Sequence, residues 1–378
     1  MDAALDDLWR RSMGMALSAF FLTFVVILLL KPLARRLGLV DRPGGRKRHA
    51  FPTPVIGGLA VLAGSVPLAI TTFEFTPQVW ALALAGAIVM VSGFLDDIFD
   101  LHWLSRIAAQ TLAALALIYV GDVRVENIGP IFGAQAGALG ILSTPVTIIA
   151  TVGLMNALNM ADGVDGLAGS LTAAALAMLA AAAVYAGNDR LSHGAIVLLG
   201  ALLAFLAFNV RTPWLPKAQI FLGNAGSEFL GLVIAWALFR LTQNPHHPVT
   251  PALALFLIAP PVIDCLVLMV RRIRDGASPF AADRNHLHHL LLDAGWTTTA
   301  VVGFITAASV VIGLAAALSI KAHVPPVYLT VAFVILTVAY YSVSAKRSRC
   351  IGFFTRLANA ASLLRWGAGR SAQRNQRS

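Results

Sequence analysis

Between two long apolar runs the chain reads N-A-L-N-M-A-D-G-V-D-G-L (Asn156 to Leu167). Two amides and two carboxylates, Asn156, Asn159, Asp162 and Asp165, recur there every three residues. On a helix that spacing places neighbours on one face, whereas a glycine directly after each Asp, Gly163 and Gly166, favours a tight loop. An ionised Asp at the centre of a bilayer costs roughly 2.5–3.5 kcal/mol. Two of them beside two glycines imply a hydrated site at a membrane surface that binds a cation, a phosphate or both. The plainer reading is a pair of helix caps and a turn.

Three further polar stretches have comparable chemistry. S-G-F-L-D-D-I-F-D-L puts Asp96, Asp97 and Asp100 at the end of an apolar run, with only Arg106 nearby. If the helix continues, Asp96 and Asp100 share a face and Asp97 is turned about 100° away. Carboxylates so crowded suit Mg²⁺, which one or two of them hold together with substrate phosphates and water. An acidic helix C-terminus also opposes the macrodipole, which weighs against a merely solvated turn.

F-L-G-N-A-G-S (Phe221 to Ser227) is a small-residue turn feeding a helix. Free N–H groups at Gly223, Asn224 and Ser227 would offer a phosphate site, and Phe221 a ring to stack on a base or simply to pack. In R-R-I-R-D-G-A-S-P-F-A-A-D-R-N-H-L-H-H-L, residues Arg271, Arg272, Arg274 and Arg284 accompany His286, His288 and His289. No Cys joins them and the arginines repel a metal, so a pyrophosphate fits better than Zn²⁺. The loop Asp41 to Gly58 packs Arg46, Lys47, Arg48 and His49 among prolines and glycines, as phosphate ligands or as topology determinants. Gly57 and Gly58 there allow close helix approach.

The elements that hold these stretches are apolar almost throughout. Of 378 residues 58% are hydrophobic and 12% charged, with mean hydropathy +0.78; soluble domains carry about 25% charged residues. Runs near the ~20 residues needed to span hydrocarbon recur at 13–31, 55–73, 77–95, 105–120, 143–159, 167–186, 192–209, 226–243, 251–270, 298–319 and 324–344. The expected fold is all-α, a polytopic membrane bundle of about eleven helices. It comprises residues 1–345, with a basic tail over 346–378 that touches anionic lipid.

The first run reads as a retained span rather than a signal peptide, since Lys31, Arg35 and Arg36 follow it. With the N-terminus outside and the C-terminus inside, every Lys and Arg but Arg10, Arg11, Arg124, Arg190, Arg240 and Lys321 falls on an inside segment. This is the positive-inside bias, and it accounts for the net charge of +10 without nucleic acid. The two cysteines, Cys265 and Cys350, suggest neither a disulfide nor a metal site.

Taken together in this order, D-D-I-F-D, N-A-L-N-M-A-D-G-V-D-G-L, F-L-G-N-A-G-S and D-R-N-H-L-H-H-L resemble the motifs of the polyprenyl-phosphate N-acetylhexosamine-1-phosphate transferases. The likeness runs from about Asp41 to the last span. S-P-F-A-A-D-R before H-L-H-H is similar to the undecaprenyl-phosphate N-acetylglucosamine-1-phosphate branch.

The resemblance implies transfer of N-acetylglucosamine-1-phosphate, or another N-acetylhexosamine-1-phosphate, from its UDP-sugar to undecaprenyl phosphate. UMP is released, with Mg²⁺ or Mn²⁺ as cofactor, and a lipid-linked cell-surface glycan is begun. The site would face the cytoplasm from the bacterial inner membrane. Asp96 and Asp97 would bind metal or deprotonate the lipid phosphate. Asp162 and Asp165, with Asn156 and Asn159, would fall in the catalytic and nucleotide-sugar region. Arg272, Asp283, His286, His288 and His289 would contact the nucleotide-sugar, while Asp41 and Asp100 match positions of less defined role. The metal set would be Asp97, Asp162 and position 224. Self-association is left open.

At one position the chain departs from the family. The third motif normally reads F-x-G-D-x-G-S, and here the Asp is Asn224. An amide oxygen can ligate Mg²⁺ but brings no charge. Either another carboxylate compensates, or activity is weakened, or the form is a substituted one. Transport is the rival class, since intramembrane carboxylates also mark ion-coupled carriers. The charged groups nevertheless collect on one side, and no inverted repeat with broken helices is legible.

Overall fold

Apolar runs become helices because in a bilayer only a helix or a closed barrel satisfies its own backbone. The computed structural model describes residues 2–41, 52–129, 137–279 and 284–359. The helices are α1 (Asp2–Leu37), α2 (Gly57–Thr72), α3 (Pro77–Phe99), α4 (Trp103–Gly121), α5 (Ser143–Ala161), α6 (Leu167–Tyr185) and α7 (Asp189–Asn209). They continue with α8 (Gly223–Thr242), α9 (Pro251–Leu257), α10 (Ala259–Arg274), α11 (Leu287–Asp293), α12 (Thr298–Lys321) and α13 (Pro326–Ser344). A last helix, α14, covers 347–359. Its Cys350 and Phe354 are buried, and the Phe354 carbonyl accepts from Trp296 Nε1 at 3.1 Å.

Among the described residues nine helices are long and apolar enough to cross a membrane, where eleven apolar runs had suggested eleven spans. Two runs account for the difference. Helix α2 has 16 residues and reaches roughly 24 Å at 1.5 Å per residue, short of a hydrocarbon core of about 30 Å. The run at 251–270 is broken: α9 and α10 meet at Ile258 with a bend of 90°. Pro260 and Pro261 stand there in the sequence, and proline removes a backbone donor and clashes with the preceding turn. The fold is all-α as expected, apart from one short pair of strands among the described residues. Strands β1 (Val40–Asp41) and β2 (Thr53–Pro54) pair antiparallel, Asp41 opposite Thr53.

Helix α8 is the axis of the bundle. Its apolar stretch is 83% buried, against 22% for α1 and 17% for α13, whose exposed Leu, Val and Ile side chains suit lipid. Small residues let its neighbours approach. A Cβ on Gly58 of α2 would lie 2.2 Å from the Gly226 Cα, and one on Gly93 of α3 would lie 2.4 Å from the Ala225 Cα. From the other side, a Cβ on Gly231 would lie 2.6 Å from the Met155 Cα of α5. Such backbone contacts are how membrane helices pack without a hydrophobic drive between them.

Because consecutive helices run antiparallel, the ends of α3, α5, α7 and α10 gather with the starts of α4, α6 and α8. Cross-links confirm the gathering: Asn159 to Asn224, Gly166 to Asn209 and Arg211 to Asp165. All four polar stretches of the sequence therefore meet at one end of the bundle.

Candidate active site

The start of α8 is the anchor. The segment before it is pinned by Phe221 N–H donating to the Pro54 carbonyl (2.8 Å) and by Gly57 N–H donating to the Phe221 carbonyl (2.9 Å). Gly223 then turns with φ +80°, and a Cβ there would sit 2.6 Å from Asp97 Oδ2 and 2.5 Å from Val55 Cγ1. No other residue fits both the dihedral and the space. The N–H groups of Gly223, Asn224 and Ala225 at this turn face the protein's own carboxylates rather than standing open to a phosphate. Asn224 N–H donates to Asp97 Oδ1 at 2.9 Å, and Ala225 N–H approaches Asp97 Oδ2 at 3.4 Å.

Asp162, the C-cap of α5, receives the Gly223 N–H. Two carboxylates thus share the positive end of one helix. Even so, removal from water, and after it the charges of Asp97 and Asp165, push the Asp162 carboxyl well above the usual carboxylate range.

Beside this pair runs a chain of directed hydrogen bonds. Arg106 Nη2 donates to Asn159 Oδ1 (3.1 Å), Asn159 Nδ2 to Asn224 Oδ1 (2.8 Å), and Asn224 Nδ2 to Asp96 Oδ2 (2.7 Å). The amide orientations follow from the two ends, since a guanidinium only donates and a carboxylate only accepts. Asp96 is buried, takes the Leu101 N–H at 2.8 Å and faces Arg106 Nε at 3.4 Å. Ser227 Oγ accepts from Asn159 at 3.0 Å and donates to the Gly223 carbonyl at 2.9 Å.

Other sequence candidates are placed as follows. Asp165 accepts from Arg211 Nε (2.7 Å) and from Ala218 N–H (3.3 Å). Asn156 turns away from the loop, donating to Gln110 Oε1 at 2.6 Å inside the bundle. Helix α3 stops at Phe99, and Asp100 is its left-handed cap with φ 51°, so it does not share a helical face with Asp96. Asp41 lies on the hairpin, close enough for its charge to act on Asp97. Phe221 is half-buried and forms a bridge with Val55. Lys47, His49 and Asp283 lie outside the described residues.

The Arg/His stretch forms a second cluster next to the first. His286 Nδ1 meets Asp264 Oδ2 at 2.8 Å, and Asp264 Oδ1 accepts from Tyr340 (2.5 Å) and from Leu287 N–H (3.0 Å). His286 and His288 stack, their rings 5.5 Å apart and nearly parallel. His288 points at the acidic loop, because a Cβ on Gly163 would lie 3.1 Å from its Nε2. That buried nitrogen has no hydrogen-bond partner in the protein. Burial first, then the neighbouring His289 and His286, hold the His288 ring down at about 3, so it is a neutral imidazole. Burial and Arg284 likewise hold His289 down at about 4. Arg272 is buried and donates to the Pro279 carbonyl at 2.7 Å. A cleft lined by Arg271, Arg272, Arg274, Asn285 and Arg347 opens beside it, with the cationic donors an anion needs.

Among the described residues no group of three His, Cys, Asp or Glu side chains is arranged to hold a metal ion. Asp97 and Asp162 fit the looser mode of Mg²⁺, in which one or two carboxylates act with substrate phosphates. Position 224 fits less well, as its amide oxygen is already taken by Asn159. Sequence reasoning missed Asp264, Tyr340, Arg211, Asn209 and Glu228. Asp264 and Glu228 had a signal, an acidic residue inside an apolar run. The others had none.

With this geometry in view, residues 79–242 match the family described as glycosyl transferase family 4. The chain is similar to the undecaprenyl-phosphate alpha-N-acetylglucosaminyl 1-phosphate transferase of Haemophilus influenzae, 34% identical over 78% of this chain and 84% of that one. Its similarity to the protein of the same name from Escherichia coli K12 is 31% identity over 90% and 92%. The corresponding Pasteurella multocida protein is 34% identical over 77% and 82%.

Proposed function

Since the chain belongs to glycosyl transferase family 4, among the polyprenyl-phosphate N-acetylhexosamine-1-phosphate transferases, we propose that it transfers N-acetylglucosamine-1-phosphate from UDP-N-acetylglucosamine to undecaprenyl phosphate. UMP leaves, and the lipid-linked product starts a cell-surface glycan such as lipopolysaccharide. The site faces the cytoplasm from the inner membrane, where the UDP-sugar is found. The observation that carries this reading is the meeting of Asp97, Asp162 and the Arg272/His288 cluster at one end of the bundle. Anion-binding and acidic groups adjoin there beside lipid-facing helices.

In this reading Asp97 and Asp162 hold Mg²⁺ or Mn²⁺, which when bound offsets the charge of the phosphates being brought together. Arg272 and its neighbours neutralise the pyrophosphate and the departing UMP. His288, neutral and with Nε2 unpartnered, offers a hydrogen bond to the nucleotide-sugar. Asp264 fixes the His286 ring and through the stack the His288 ring.

The test is incubation of purified protein with undecaprenyl phosphate, Mg²⁺ and a panel of UDP-sugars, scoring UMP. Release with UDP-N-acetylglucosamine above the others is expected. A preference for another UDP-N-acetylhexosamine would move the substrate assignment. No release with any sugar would favour a carrier.

A further inference from the structure

Helix α8 carries a carboxylate that the site described so far does not use. Glu228 is 1% exposed, lies on an apolar span, and its Oε1 has no hydrogen-bond partner in the protein. The nearest cation is Arg106, whose Nε stands 3.7 Å from that oxygen and 3.4 Å from Asp96 Oδ2. Gln110 gives the carboxylate one hydrogen bond, but burying a carboxylate with no close ion pair is still costly, so its presence needs a reason. The reason lies one helical turn earlier. Residues four apart share a helix face, and four before Glu228 stands Asn224, where the family motif has Asp.

The surroundings of position 224 are built for an amide. Asn224 must donate to Asp96 at 2.7 Å and accept from Asn159 at 2.8 Å. A carboxylate there would lose the first bond and set two negative charges against each other. Arg106, bonded to Asn159 and flanked by Asp96, is then left with one acidic neighbour unless α8 supplies a second. Glu228 is that second.

We propose that Glu228 carries, one turn along α8, the negative charge that position 224 has given up, holding Arg106 between two carboxylates so that Arg106, Asn159 and Asn224 keep the geometry of the acidic site. Glu228 is a positioning residue, acting through Arg106 rather than on the substrates. The inference rests on the transferase reading for its effect on turnover, but its charge exchange is independent of that reading.

The experiment is a double-mutant cycle on the full chain: Glu228→Gln, Asn224→Asp and both together. Two readouts are taken, melting temperature without metal and the Mg²⁺ concentration for half-maximal UMP release. Glu228→Gln is expected to lower the melting temperature and to raise the Mg²⁺ requirement roughly 10- to 100-fold, the usual cost of losing an outer supporting partner. Asn224→Asp alone is expected to lower the melting temperature as well. The double variant is expected to lose less in both readouts than the two single changes combined, because it keeps one added carboxylate beside Arg106 while still lacking the bond from position 224 to Asp96.

Effects that simply add, a double variant that fails to fold while Glu228→Gln folds, or a stabilised Asn224→Asp with Glu228 in place would each overturn the exchange. If Asn224→Asp alone does not fold, comparison of the double variant with Glu228→Gln still decides. If no form releases UMP, the transferase reading falls and the melting cycle alone judges the charge exchange.

Discussion

At the scale of single residues, Asp97 and Asp162 are neighbours because the start of α8 stabilises both. Asp97 accepts from Asn224 N–H, and Asp162 lies against the Gly223 N–H. Asp97→Asn and Asp162→Asn are each expected to cut transfer about 10²- to 10³-fold, or roughly 2.7–4 kcal/mol, with the protein still folded. Near-normal turnover at saturating Mg²⁺ would remove that residue from the catalytic list.

A pH prediction follows from His288. Its ring titrates at about 3 in the folded protein against 6.5 ordinarily, so between those values the unfolded chain binds a proton that the native one refuses. Stability therefore rises with pH across that window and is lost as pH falls below about 6.5. Replacing His288 with Gln removes this term. The melting temperature of the variant should fall less between pH 7 and pH 5 than that of the parent, and parallel curves would show that His288 is not held neutral by burial.

At the scale of elements, the position of α8 depends on glycines in the helices around it. Gly58→Ala would set a methyl 2.2 Å from the Gly226 Cα, and Gly93→Ala one 2.4 Å from the Ala225 Cα. Neither backbone can yield without shifting the turn that orders Asp97 and Asp162. Overpacking of this sort costs about 1–3 kcal/mol. Both variants should melt lower and lose transfer activity, whereas Gly303→Ala, with nothing within 4 Å, should match the parent in both assays. Unchanged activity in Gly58→Ala would show that the α2–α8 contact does not support the site.

At the scale of the whole molecule, orientation is testable by labelling. Cation placement puts the 243–251 connection outside and the Arg/His stretch inside. His288 is buried, so Asp275, whose side chain is 62% exposed, is the better reporter of the inner face. His246 is exposed and reports the other side. The native Cys265 and Cys350 are buried and give little background. A membrane-impermeant thiol reagent applied outside should modify His246→Cys and spare Asp275→Cys. The reverse would put the site where a cytosolic nucleotide-sugar cannot reach it.

The amino-acid sequence alone determined that the chain lives in a membrane, which stretches hold the polar chemistry, and which family its motifs resemble. Composition, run length and motif order are local properties, and a bilayer leaves an apolar run little choice but a helix. Two runs still escaped a linear reading: 251–270, where Pro260 and Pro261 break it at Ile258, and 55–73, of which only the 16 residues of α2 are helical.

Only the tertiary structure decided how the polar groups pair, because pairing depends on which helix ends meet. Asn156 and Asn159 look equivalent in the sequence, yet one faces Gln110 inside the bundle and the other links Arg106 to Asn224. The phosphate-like turn at Gly223 proved to be filled by the protein's own carboxylates, since the end of α3 is brought to the start of α8. Glu228 and Asp264 acquired meaning in the same way. Each is an isolated acid in an apolar run until folding sets Arg106 beside the one and His286 beside the other.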